Sequence, residues 1–226
     1  MTKKRVQLDA FVIGAFIIFT GVLVFMFPYL YVENQFLRNI CAVVGFVLII
    51  LGALLRMSGR GYKRFASQQS SSLVTGGPYQ LVRNPMYLGT FLIGVGFMFP
   101  LFPLWTIAIF SAVFYLRFVI QIRKEQQFLL KSFGSSYEEY CRKVPAFIPN
   151  LRSLRSVTFN SVFPKKYLWT TQEKYCLFYW PAINLSVWFL QQEIFWKGMT
   201  IIPVVFDALF ALMLLFWMIV SVDEED

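Results

Sequence analysis

The sequence predicts an all-helical, polytopic membrane bundle of about six transmembrane helices, and three observations predict it. The chain has 226 residues, 58% of them hydrophobic and 15% charged, with a mean hydropathy of +0.59. A soluble domain of this length has no interior large enough to hide that much apolar side chain, whereas lipid solvates it. The apolar residues also fall in runs close to the ~20 residues that cross a bilayer. The basic residues fall between those runs. Of 21 Lys and Arg, only Arg38 and Lys197 lie on the side opposite the rest. That asymmetry is the positive-inside pattern, and it places both termini in the cytoplasm. The net charge of +9 therefore reads as topology, and no nucleic-acid partner is expected.

The start, MTKKRVQLDAFVIGAFIIF, is basic and then apolar, like a signal peptide. The apolar run continues to about Tyr31 with no small-residue cleavage site, so it reads as an uncleaved first helix from Phe11 to Tyr31. A second run, Leu37 to Leu55, follows the linker VENQFLR, which holds only a turn; the two form a hairpin. From Arg56 to Arg83 the character changes. Arg56, Arg60, Lys63, Arg64 and Arg83 appear with no acid among them, and SQQSSS is turn-prone. This segment is expected to be a cytoplasmic loop lying partly on the membrane surface.

The apolar block Met86 to Ile120 is too long for one crossing. Pro100 and Pro103 in FMFPLFPLW break it into a second hairpin, its turn outside. Residues 121–175 are polar, with ten Lys or Arg and four Glu. Gln121 to Phe133 reads as a helix leaving the membrane. Two more runs, Tyr175 to Leu190 and Met199 to Val222, precede the terminal DEED. Asp207 is an acid inside the last run.

The chain has no histidine, which removes the commonest general base and metal ligand. Cys41, Cys141 and Cys176 have neither metal nor disulfide spacing and read as reduced thiols. No metal site is expected.

Two polar clusters flank the apolar runs. In TGGPYQLVRNPMYLG, residues 75–89, Gly76, Gly77 and Pro78 force a tight turn before a helix. Pro85 suits that helix's first turn and pushes Asn84 out of the helical region. Free amides at such a helix start favour an anionic group, and Arg83 adds a positive charge. A plain helix-entry turn explains the same residues equally well. The second cluster, RKEQQFLLKSFGSSYEEYCRKVPAFIP, spans 123–149. Its Glu125 follows the fourth apolar run and suits an amino or sulfonium group, or else a surface partner one turn away.

These two blocks, in this order and about forty residues apart, resemble the signature of the isoprenylcysteine carboxyl methyltransferase and phospholipid methyltransferase superfamily. The family's first block is G-x-Y-x-x-x-R-H-P-x-Y-x-G, matched by Gly77, Tyr79, Arg83, Pro85, Tyr87 and Gly89. Its second is E-E-x-x-L-x-x-x-F-G-x-x-Y-x-x-Y followed by V-P-x-x-I-P. Glu125, Leu129, Phe133, Gly134, Tyr137, Tyr140, Val144, Pro145, Ile148 and Pro149 match it. The resemblance covers roughly residues 40–150. Two positions depart from it. Asn84 replaces the family's His, as in the phospholipid N-methyltransferase branch, which resembles this chain in carrying Asn-Pro-Met-Tyr. Gln126 replaces the second Glu, which leaves open an altered substrate or an inactive relative.

The resemblance implies S-adenosyl-L-methionine as cofactor and a membrane lipid or other lipophilic small molecule as methyl acceptor. It implies cofactor binding by Gly77, Tyr79, Gln80, Val82, Arg83, Asn84, Pro85, Tyr87, Glu125, Tyr137 and Tyr140. Arg83 and Glu125 are the implied catalytic pair. The whole of 1–226 then forms a single membrane domain. It divides into an N-terminal hairpin at 1–56, a methyltransferase-like core at 57–150, and a C-terminal linker with two extra transmembrane helices at 151–226. Two other readings stay open: an NADPH-dependent sterol or steroid reductase relative, which shares an Arg-His-Pro-x-Tyr element, and a non-catalytic membrane relative.

Overall fold

The computed structural model describes residues 35–69, 72–101, 104–150, 154–155, 157–169 and 171–196. Most of these are helical, with no strand among them. Helix α1 spans Gln35–Gln69. A 3-10 turn at Gly77–Gln80 leads into α2, Pro85–Leu101, and then α3, Leu104–Phe133. The short α4 is Ser135–Lys143. Two single-turn helices follow, α5 at Phe159–Val162 and α6 at Lys165–Leu168. A 3-10 turn at Gln172–Tyr175 enters α7, Cys176–Trp196. The expected first and sixth helices, Phe11 to Tyr31 and Met199 to Val222 with Asp207, lie outside the described residues.

The loop expected from Arg56 onward is corrected in its first part. Here α1 continues through Gln69. Arg56, Arg60, Lys63 and Arg64 recur at helical spacing, so they decorate one side of a helix instead of ending it. The same turns are packed inside: Met57 and Ser58 are fully buried. Among the described residues one helix, Asn39–Gln69, is long and apolar enough to cross a membrane; Pro85–Pro100 is apolar but shorter.

The break between the third and fourth runs falls where the prolines predict it. Pro100 sits in the last turn of α2, and α3 begins at Leu104. From there α3 runs unbroken through Gln121, so the segment expected to leave the membrane is the far half of the same helix. Gly134 ends it with φ +52, a left-handed value that favours glycine, and its N–H returns to the Leu130 carbonyl. Helix α4 is amphipathic: Tyr137 and Tyr140 turn inward, while Glu139 and Lys143 pair on the open side.

Helices α1 and α2 meet along glycines spaced seven apart, at 45 and 52 on one and 89 and 96 on the other. A Cβ added at Gly52 would lie 2.5 Å from the Gly89 carbonyl oxygen, and one at Gly96 would lie 2.6 Å from that of Gly45. The two backbones touch without side chains between them, as small residues allow in membrane helix pairs. Beside this seam a core of Leu55, Leu81, Val82, Leu88, Ile122 and Phe147, joined by Val162, ties α1, α2 and α3 to the segments on either side.

Candidate active site

The turn at 76–84 is shaped by what lies under it. Gly77 has φ +60, and a Cβ there would strike the Tyr62 ring at 2.6 Å. The turn therefore needs glycine twice over, for its backbone angle and for the ring from α1 beneath it. Tyr79 then reaches back, donating its hydroxyl to the Gly59 carbonyl at 3.3 Å.

Three hydrogen bonds clasp this turn to the second sequence block. The Tyr140 hydroxyl donates to the Tyr79 carbonyl at 2.7 Å. The Arg83 amide donates to the Pro145 carbonyl at 2.8 Å. The Asn84 Nδ2 donates to the Ala146 carbonyl at 2.7 Å. Asn84 thus has a definite task where the family pattern has His: its amide fixes the strand-like stretch after α4.

Glu125 lies on the other side of the turn. Its Oε1 accepts the Tyr87 hydroxyl at 2.5 Å and Gln121 Nε2 at 3.0 Å. No described hydrogen bond reaches its other oxygen. The Tyr79 phenol is pushed upward in pKa, first by burial and then by the nearby Glu125 charge. Burial raises Tyr140 as well. Tyr79, Tyr87 and Glu125 therefore lie near one another. An aromatic ladder extends from them: Tyr87 against Phe118 at 4.9 Å, then Phe118 on Phe114 at 4.5 Å and Phe114 on Phe110 at 5.0 Å.

Arg83 does not pair with Glu125, although opposite charges flanking two helix ends invite that pairing. Its Nη1 donates to Cys141 Sγ, and it also meets Tyr137. Its Nε is buried with no partner. Tyr137 is raised in pKa by burial and by Cys141, while Arg83 pulls it the other way. Tyr137 and Cys141 also line an open groove between α3 and α4, with Arg123, Gln126, Leu130 and Arg142 on its walls. Of the eleven residues implied for the cofactor, Tyr137 lines this groove, whereas Tyr79, Tyr87 and Glu125 do not. Val82 and Pro85 are buried and serve packing; Gln80 is exposed.

One charged cluster escaped the sequence reading. Glu173 is buried, and its carboxylate binds Arg56 and Arg60, both at 2.9 Å. Burial opposes its charge, yet Arg56 above all holds the carboxyl down to about 2. The signal available in sequence was only the isolation of one acid in a basic stretch.

Residues 40–136 match the family model described as phospholipid methyltransferase. The protein-S-isoprenylcysteine O-methyltransferase of Saccharomyces cerevisiae is 32% identical over 134 residues, 55% of this chain and 56% of that protein. The probable protein-S-isoprenylcysteine O-methyltransferase of Oryza sativa subsp. indica is 36% identical over 115 residues, 47% of this chain and 60% of that one. The nickel-cobalt-cadmium resistance protein NccN of Alcaligenes xylosoxydans xylosoxydans is 36% identical over 93 residues, 40% of this chain and 42% of that one. The chain spans about half the length of the curated relatives it matches. No solved structure matches it. The matched stretch holds both the Gly77–Gly89 block and Glu125, and so it is over residues 40–136 that the chain is similar to the phospholipid methyltransferase family.

Proposed function

We propose that this chain is an integral membrane methyltransferase that moves a methyl group from S-adenosyl-L-methionine to a lipid or isoprenoid-type acceptor. The observation that carries the reading is the clasp: the Tyr140, Arg83 and Asn84 hydrogen bonds bind the two sequence blocks together, and Tyr87 of the first block bonds to Glu125 of the second. The relatives named isoprenylcysteine O-methyltransferases favour methyl transfer over the reductase reading.

The residues present fit this cofactor. The unpartnered buried Nε of Arg83 suits a carboxylate, and the open oxygen of Glu125 suits an ammonium. When bound, the cofactor supplies an already activated methyl on a sulfonium. The protein's task is then to align donor and acceptor and to exclude water. Arg83 and Glu125 hold the amino-acid end by its two charges. Tyr87 and Gln121 orient Glu125, and Tyr79 and Tyr140 hold the turn that forms the wall. The open groove lined by Tyr137 and Gln126 adjoins Arg83 through Cys141. Gln126 there presents a neutral amide where the family pattern has a carboxylate. The aromatic ladder along α3 offers an apolar path for an acceptor arriving from lipid. In this reading the whole chain is one domain with its core at 57–150.

Incubating membranes with radiolabelled S-adenosylmethionine should place label in the lipid extract. Label confined to water-soluble products would overturn the lipid acceptor.

Outward-facing Val43, Val47 and Leu51 on α1, and Ile109, Val113, Leu116 and Ile120 on α3, support helices set in lipid. With the basic asymmetry, they favour six crossings and cytoplasmic termini. A cysteine at Ser72 should resist an impermeant thiol reagent in intact cells and react once the cells are opened. Labelling from outside would refute this topology.

A further inference from the structure

The Glu173 cluster lies at the meeting point of α1, α2 and the entry to α7, and its residues form a continuous line toward the candidate site. Glu173 Oε1 accepts Arg56 Nη2 and Arg60 Nη1, both at 2.9 Å. Its Oε2 accepts Arg56 Nε and the Cys176 thiol, both at 3.1 Å. Arg56 is therefore gripped in the two-pronged manner that fixes a guanidinium in plane. Its remaining nitrogen, Nη1, donates to Thr90 Oγ1 at 2.5 Å. Thr90 in turn donates to the Met86 carbonyl in the first turn of α2 at 3.0 Å. The next residue, Tyr87, gives its hydroxyl to Glu125.

We propose that Glu173 is a positioning residue of the candidate site: through Arg56 and Thr90 it holds the first turn of α2, and with it the hydroxyl of Tyr87 against Glu125. The proposal rests on the methyltransferase reading for its consequence, but its geometry is independent of it. Glu173 lies outside the stretch that matches the family model, so this support comes from the C-terminal part of the chain. The room for Arg56 comes from Gly89: a Cβ there would meet the Arg56 stem at 2.9 Å. Losing the Glu173 charge leaves a guanidinium in a packed interface with only neutral partners and with Arg60 beside it. Such a group turns toward water, and Thr90 loses its donor.

The test uses the full chain in lipid nanodiscs, with Glu173→Gln, Glu173→Asp and Thr90→Val. Hydrogen exchange is followed at residues 86–91 and 172–180, and S-adenosylhomocysteine binding is measured by calorimetry. Glu173→Gln should raise exchange at 86–91 about tenfold and weaken binding by about the same factor. Glu173→Asp, which keeps the charge, should recover most of both. Thr90→Val cuts the line while leaving the ion pair, so it should weaken binding with 172–180 unchanged; it also serves if Glu173→Gln does not fold. Faster exchange confined to 172–180 in Glu173→Gln, or wild-type behaviour at 86–91 in Thr90→Val, overturns the proposal. Absence of S-adenosylhomocysteine binding by the wild-type chain would count against the cofactor reading alone, and the exchange data would still decide the positioning role.

Discussion

Glu125→Gln should weaken S-adenosylmethionine binding about 10- to 150-fold, because it removes a charge-assisted hydrogen bond worth roughly 1.5–3 kcal/mol. The melting temperature should stay within about 4 °C of wild type. The amide keeps the carboxylate's shape, and its oxygen still accepts from Tyr87 and Gln121. Arg83→Gln should weaken binding similarly, through the carboxylate of the same amino-acid end. A structural salt bridge between the two would instead predict a shared loss of stability and no change in affinity. The structure already argues against that bridge, since Arg83 turns to Cys141 and Tyr137. Tyr87→Phe separates positioning from charge. It keeps the ring against Phe118 and leaves the carboxylate, so the loss should be smaller, about fivefold. Calorimetry and thermal unfolding of the three variants decide the matter. Wild-type affinity in Glu125→Gln and Arg83→Gln, with melting points lowered in both, would remove these residues from the cofactor site.

Much of this site is legible in sequence because its contacts are set locally. Gly77 and Gly134 hold the two positive-φ positions among the described residues, and both stand in motif positions where a turn is required. Pro100 and Pro103 mark the α2–α3 boundary because proline cannot continue a helical hydrogen-bond ladder. What stayed hidden depends on distant partners. The spacing of Arg56, Arg60 and Arg64 is helical, yet basic residues after an apolar run read as the end of a crossing. The partner of Arg56 and Arg60 is more than a hundred residues away, and nothing local in QEKY announces a buried acid. The purpose of Asn84 is likewise tertiary, since its acceptor is the Ala146 carbonyl. Gln126 follows Glu125 by one residue, so a helix turns it by about 100°, toward the groove and away from Tyr87. The family's adjacent carboxylates therefore map here onto two different walls.

The larger effect on the fold should come from a single methyl group. Gly52→Ala should lower the melting temperature by about 10 °C or more, or prevent accumulation of monodisperse protein, consistent with a cost of at least ~4 kcal/mol. The new Cβ would stand 2.5 Å from the Gly89 carbonyl oxygen and 2.8 Å from Ile93 Cγ1. A main-chain oxygen inside a helix has no rotamer to move to, so α1 and α2 must separate. Separation loses close contact along the whole seven-residue repeat, because Gly45 and Gly96 meet in the same way further along. Gly94→Ala is the matched control. Its Cβ would meet the Phe110 ring at 2.7 Å, and an aromatic side chain at the edge of the ladder can swing aside, so the drop should be a few degrees. Reciprocity gives a sharper test. A Cβ at Gly89 would in turn lie 2.5 Å from the Gly52 carbonyl oxygen, so either substitution alone already forces the helices apart. The Gly52→Ala, Gly89→Ala double variant should then cost clearly less than the sum of the singles. Additive losses, or equal losses at Gly52 and Gly94, would mean that the backbones do not touch along this seam.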